Sequence, residues 1–153
     1  MAIETVRSYL AKWNRDKDII ELSESTATVS SAAVALGVVP ARIAKTISVK
    51  QGSAAAVIVT SGDVKLDNRK YKEKFGTRVK MLTPEEALAM TGHAVGGVCP
   101  FGLPDGVTVF LDVSLKRFDT VFPACGSNNS AIELTLNELG EYSRNKEWVD
   151  VCV

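Results

Sequence analysis

The stretch Ile43–Thr60, IAKTISVKQGSAAAVIVT, decides how the rest of the chain is arranged. Two runs rich in branched and small apolar residues flank Gln51-Gly52-Ser53, so they read as two strands joined by a tight turn. Side chains alternate along a strand, which places Ile43, Lys45, Ile47 and Val49 on one face and Thr46, Ser48 and Lys50 on the other. Lys45 thus shares a face with an apolar set. An ammonium buried there without a partner is costly, so its tip either reaches water at the strand mouth or faces a cleft where it meets an anion.

Working outward, Val6, Leu10 and Trp13 have helical spacing within residues 3–16, and DIIEL (18–22) reads as a short strand. In TATVSSAAVALG (26–37), Thr28 caps a helix that ends at Gly37, and a brief helical turn follows around residues 41–44. Asp67 caps a helix running to about Phe75. Thr83-Pro84-Glu85-Glu86 opens another that stops at Gly92, with proline at the first helical position and a glutamate three residues after the cap. VTVFLDV (107–113), DTVFPAC (119–125) and AIELT (131–135) read as strands, Thr135 with Glu138 as the capping box of a late helix, and EWVDVCV (147–153) as a closing strand. Strands outnumber crossover helices and short turns join several of them. An α/β chain of the α+β type is expected, a mixed, mainly antiparallel sheet or barrel surrounded by helices.

A chain of 153 residues suits one domain spanning 1–153. The first 18 residues carry Glu4, Arg7, Lys12, Arg15 and Asp16, so they lack the apolar segment of a signal peptide, and no run reaches the roughly 20 apolar residues that span a bilayer. A cytoplasmic protein without membrane attachment is expected. Cys99, Cys125 and Cys152 are odd in number and far apart, as reduced thiols are, and with one histidine a zinc site is not expected. Formal net charge is zero, so nucleic-acid contact would need a local basic surface. KLDNRKYKEKFGTRVK (65–80) is such a run, although a solvated helix face is the commoner meaning of that pattern.

The window GHAVGGVCPFG (92–102) gathers the single histidine, a cysteine, a proline and four glycines. Glycine weakens both helix and strand, so this is a shaped loop. Gly96 and Gly97 let backbone amides turn toward a ligand and Pro100 stiffens the far end. Such amides can hold a developing oxyanion, each typically contributing about 3–4 kcal/mol in acyl transfer. A turn without function has the same composition. His93 and Cys99 as base and nucleophile have no defined geometry at this spacing and no third group to orient the imidazole; specificity or loop support suits His93 better, and a packed or pocket-lining role suits Cys99.

AAVALGVVPARIAKTISV followed by GHAVGGVCPFG resembles the YbaK/ProX family, the YbaK/prolyl-tRNA synthetase-associated editing domains, over roughly residues 26–135. The resemblance implies a trans-editing aminoacyl-tRNA deacylase that hydrolyses the ester of a small amino acid mischarged on tRNA, without metal or cofactor. It implies Lys45, Gly96, Gly97 and Pro100 as catalytic residues; Thr46, His93, Val98, Cys99, Phe101, Ser127 and Asn128 are expected to contact substrate beside them. Loop amides polarise the ester carbonyl, Lys45 meets the anionic end of the tRNA, and a water or the neighbouring ribose hydroxyl attacks. The implied partners are the aminoacylated 3′ end of tRNA and, second, an aminoacyl-tRNA synthetase. Two positions depart from the family pattern: Cys99-Pro100 stands where members often read Ser-Pro, and GSNNSAIEL puts Ala131 where they carry an aspartate. Two other readings compete: a non-catalytic module of the same fold that grips aminoacyl-tRNA or a synthetase, and thiol chemistry at Cys99.

Overall fold

The computed structural model describes residues 2–153. Its centre is the hairpin formed by β2 (Ile43–Gln51) and β3 (Ala54–Ser61), paired antiparallel from Ala44 opposite Ser61 to Gln51 opposite Ala54. β4 (Thr108–Asp112) lies parallel to β3, and β8 (Glu147–Val149) parallel to β4. On the other side β5 (Thr120–Pro123) runs parallel to β2 and only beside Ile43 and Ala44, and β7 (Leu134–Thr135) pairs antiparallel with β5. The six-stranded order is β7-β5-β2-β3-β4-β8, a mixed sheet whose longest ladder is antiparallel. A separate two-stranded sheet joins β1 (Ile20–Glu21) to β6 (Ser130–Ala131).

The helices start and stop where their caps dictate. α2 (Val29–Leu36) begins at Thr28, whose side chain accepts from Ser31 N–H, and ends at Gly37. α3 (Asn68–Phe75) is capped by Asp67, and α4 (Pro84–Thr91) by a Thr83–Glu86 capping box ending at Gly92. The Thr135–Glu138 box opens α5 (Leu136–Ser143). α1 (Ala2–Leu10) is shorter than its spacing suggests, because the chain tightens into a 3-10 turn over Ala11–Trp13 and leaves through Asn14 at φ 59°. The helical turn before β2 is Pro40–Arg42. AIELT splits between two strands: Ile132 N–H donates to Pro123 O at 3.1 Å, so Ala131 pairs with Ile20 while Leu134 turns to Val121. The closing strand is likewise cut short, since Val151 and Cys152 leave β4 to meet Asp67 and Leu66.

The alternation of β2 sorts the core. Ala44 joins the main cluster with Val57, Val59, Leu111 and Leu134. On the opposite face Ile43 packs under α2 with Ala32, Ala33 and Phe122, while Val49 and Ile47 pack with Ile58, Tyr71 and Phe110 beneath α3. Lys45 falls between these two apolar clusters.

The basic run at 65–80 divides. On α3, Arg69 pairs with Glu73, Lys70 with Asp150 and Lys74 with Glu147. Phe75 stacks between Tyr71 and Phe110, with ring centroids 4.7 and 5.0 Å away. That helix is tied to the C-terminal segment by its charges and to β4 by its rings. No described helix is long and apolar enough to cross a membrane.

Candidate functional site

β5 covers the outer edge of β2 only as far as Ala44, and Met81 returns to that edge at Val49. Between them the sheet has a gap, and the gap opens into a cavity of about 410 Å³. Its wall includes Lys45 and Thr46 from β2, Gly96 and Val98 from the glycine loop, and Ala131 from β6. Ala27, Val29, Ile43 and Phe122 make it largely apolar, and no carboxylate side chain lines it. A chamber of this kind suits a small ligand with few, well-placed polar groups. Two of the three buried side-chain oxygens or nitrogens without a partner among the described residues, Thr26 Oγ1 and Thr46 Oγ1, belong to residues of this wall. Buried polar atoms are rarely left so.

Lys45 reaches the wall from the apolar face of β2. Its Nζ donates to Val64 O, which answers the desolvation problem with one of three ammonium donors and leaves two. Among the described residues no acid forms an ion pair with it.

The loop is built by close packing. Gly96 takes φ +94°, and a Cβ on Gly97 would lie 2.8 Å from Ser127 N. Gly97 N–H donates to Ala94 O at 2.9 Å, closing a turn, so this amide serves the loop and Gly97 is absent from the cavity wall. Pro100 lies elsewhere, beside a second, smaller cavity of about 110 Å³ with Tyr9 and Leu103.

His93, Cys99 and Phe101 are fully buried behind the loop. The Phe101 carbonyl, 2.9 Å from His93 Nε2, can only accept, so the proton sits on Nε2 and the unpartnered Nδ1 carries the lone pair. Cys99 Sγ lies 3.6 Å from that protonated Nε2, so no basic nitrogen faces the thiol. Burial also pushes the Cys99 thiol up to about 12. The geometry opposes a thiolate nucleophile. Cys125 and Cys152 are buried as well, their thiols raised chiefly by burial. The native protein is therefore expected to show no fast-reacting thiol toward a disulfide reagent and three after denaturation; one fast thiol that maps to Cys99 would restore the nucleophile reading.

Burial holds the His93 pKa below its ordinary value, against the opposing pull of the Phe101 hydrogen bond. The unfolded imidazole binds a proton near pH 6.5 while the folded one resists, so the unfolded state takes up more protons as pH falls. Stability is expected to drop from about pH 7 downward through 6.5. Thermal melts of wild type and His93→Gln across pH 5.5–7.5 test this, and equal slopes for the two proteins would remove His93 as the cause.

Ser127 and Asn128 stand behind the wall. Ser127 Oγ bonds Ser130 Oγ at 2.7 Å, and Asn128 O accepts from Thr26 N–H at 2.6 Å. They position Ser130 and Thr26, which do line the cavity. Neither Thr26 nor Ser130 is marked by sequence spacing; their place depends on the β1–β6 pairing. Among the described residues no cluster of three or more His, Cys, Asp or Glu side chains could hold a metal ion.

The sequence model of the aminoacyl-tRNA editing domain matches residues 23–142, and the chain belongs to that family. It is 53% identical over 153 residues to the uncharacterized protein YwhH of Bacillus subtilis, covering 99% of this chain and 98% of that one. It is 26% identical to the proline–tRNA ligase of Pelobacter propionicus over 97% of this chain, which spans only 27% of the ligase. A crystal structure described as a candidate trans-editing enzyme for prolyl-tRNA synthetase superposes with a TM-score of 0.87 at 28% identity, covering 98% of this chain and 96% of that one. The family expected from the paired motifs is the family found.

Proposed function

We propose that the protein is a trans-acting aminoacyl-tRNA deacylase that removes a small amino acid from mischarged tRNA. The observation that carries the reading is the single cavity shared by Lys45, Gly96 and Val98. In this reading the ester enters the cavity through the gap beside β2. The amides of Gly96 and Val98, the two loop residues on the wall, polarise its carbonyl, as preorganised donors do where charge develops. Lys45, tethered to Val64 O, offers its remaining N–H donors to the phosphate or sugar oxygens of the terminal nucleotide. Net hydrolysis adds one water across the ester, breaks the acyl carbon–ribose oxygen bond, and releases the free amino acid and a tRNA with its hydroxyl restored. Gly97 and Ser127 act behind the wall by setting the loop's position, and Pro100 by stiffening it. The partner is the aminoacylated 3′ end of tRNA, in the cytoplasm.

A largely apolar wall separates substrates one methylene apart only about 10–200-fold, so the activity extends to neighbouring small amino acids. The test is hydrolysis of a panel of tRNAs mischarged with alanine, serine, threonine, cysteine and proline. Turnover of a small aminoacyl ester that Lys45→Ala abolishes is expected. Tight, salt-sensitive binding of the panel with no turnover would instead establish a binding module.

A further inference from the structure

Among the described residues the outer edge of β2 is claimed at Ala44, at the Ser48 carbonyl and at the Lys50 amide, and both backbone groups of Thr46 are left over. In an antiparallel ladder each residue directs its N–H and C=O to the same side, and successive residues alternate. Leu82 N–H donates to Ser48 O at 3.1 Å and Lys50 N–H donates to Lys80 O at 2.8 Å, so Ser48 and Lys50 face away from β3. By the same alternation Ala44 and Thr46 do too. β5 lies beside Ile43 and Ala44, and Leu82 takes up the carbonyl of Ser48. Among the described residues Thr46 is the one on this edge whose N–H and C=O are both directed into the gap without a partner, on the wall of the cavity.

We infer that the backbone of Thr46 docks the amino-acid half of the ester as a strand one residue long, its N–H donating to the ester carbonyl and its C=O accepting from the α-ammonium. The identity of the ligand rests on the deacylase reading; the slot rests on the strand pairing. Two opposed residues in a hydrogen-bonded antiparallel pair exchange both bonds, and an aminoacyl ester carries one donor and one acceptor at that spacing. This supplies the α-ammonium with a partner in a cavity that has no carboxylate. It also gives the ester carbonyl a donor from β2 in place of the Gly97 amide, which the loop uses internally.

The pairing fixes direction. The amino end points toward Leu82 and the ester toward Ala44 and Ala124. Leu82 already occupies Ser48 O, so an N-acyl group extending the ligand by another peptide unit meets the 80–82 segment. The slot therefore takes a free α-amino ester and rejects a peptidyl or N-acetyl one.

The test uses the full chain, 15N-labelled, with 3′-alanylamino-3′-deoxyadenosine and its N-acetyl derivative, both resistant to hydrolysis. On saturation with the free amine the Thr46 amide proton is expected to move downfield while that of Ile47, which faces β3, stays. The N-acetyl derivative should bind at least 10-fold more weakly. Binding that leaves Thr46 unmoved, equal affinity for both probes, or binding of neither overturns the slot. Cleavage assays separate this from the function: probe binding as described with no tRNA in the panel hydrolysed would sink the deacylase reading alone. Hydrolysis of alanyl and N-acetylalanyl esters at equal rates would sink the slot alone.

Discussion

Gly97→Ala is expected to lower both stability and turnover by large factors. The added methyl would lie 2.8 Å from Ser127 N, 2.9 Å from Gly126 C and 2.9 Å from Ser127 Cα. All three are backbone atoms, so no flexible side chain can swing aside and the loop itself must retreat from residues 126–127. Overpacking of this kind costs about 1–3 kcal/mol, and for a chain of this size each kcal/mol moves the melting temperature by roughly 2–4 °C. A displacement near 1 Å at a catalytic loop lowers rate by about 10²-fold. Thermal denaturation and kcat/KM on the best mischarged tRNA read the two effects, and a variant that melts and turns over like wild type would show that the loop does not depend on this contact. In the proposed reaction Gly97 is a positioning residue: its missing side chain, more than its amide, would serve the site.

Lys45→Met is expected to separate function from fold in the opposite way. Methionine keeps the length of the side chain and suits the apolar face between the Ile43 and Ile47 clusters, so little packing is lost. Loss of the hydrogen bond to Val64 O costs about 1–2 kcal/mol. Turnover should nevertheless fall at least 10²-fold, because among the described residues no other cationic side chain lines the cavity to meet the anionic groups of the proposed substrate. Lys45→Arg restores the charge but puts a planar fork where a compact ammonium reaches Val64 O, so its rescue should be partial. Stability and single-turnover hydrolysis measured on both variants test the assignment. Full activity in Lys45→Met would remove the lysine from the mechanism.

The residues legible in the sequence are those whose role is settled within a few positions. Thr28, Asp67, Thr83 and Thr135 each cap the helix that follows, because a side-chain oxygen and a backbone N–H three residues on are brought together by local geometry alone. The β2–β3 hairpin follows in the same way from a short turn between two strand-forming runs. Lys45 and the glycine loop could be singled out as anomalies, a cation in an apolar register and a run unfit for regular structure. Their meeting on one cavity was expected from the family resemblance and not from spacing, since Gly96 lies 51 positions after Lys45 with β3, α3 and α4 between them.

AIELT and EWVDVCV show where local pattern stops. Both have strand composition, yet each is divided because distant partners compete for it: Ile20 and Val121 for the first, β4 and the 65–67 segment for the second. His93 and Cys99 are close in sequence and do touch, but tertiary burial removes the chemistry their proximity suggests, by fixing the imidazole proton on Nε2, which donates to the Phe101 carbonyl, and by suppressing the thiolate.

By itself the amino-acid order determined where helices begin, how the central hairpin forms, and which side of β2 carries Lys45, since each depends on torsional preferences and side-chain periods acting over short distances. Only the tertiary structure decided that Gly97 is spent on packing, that Thr26 and Ser130 reach the cavity, and that Thr46 is left unpaired on the strand edge. The reason is that a backbone N–H or C=O has the same chemistry at every position, and whether it is satisfied depends on which remote strand arrives beside it and where that strand stops.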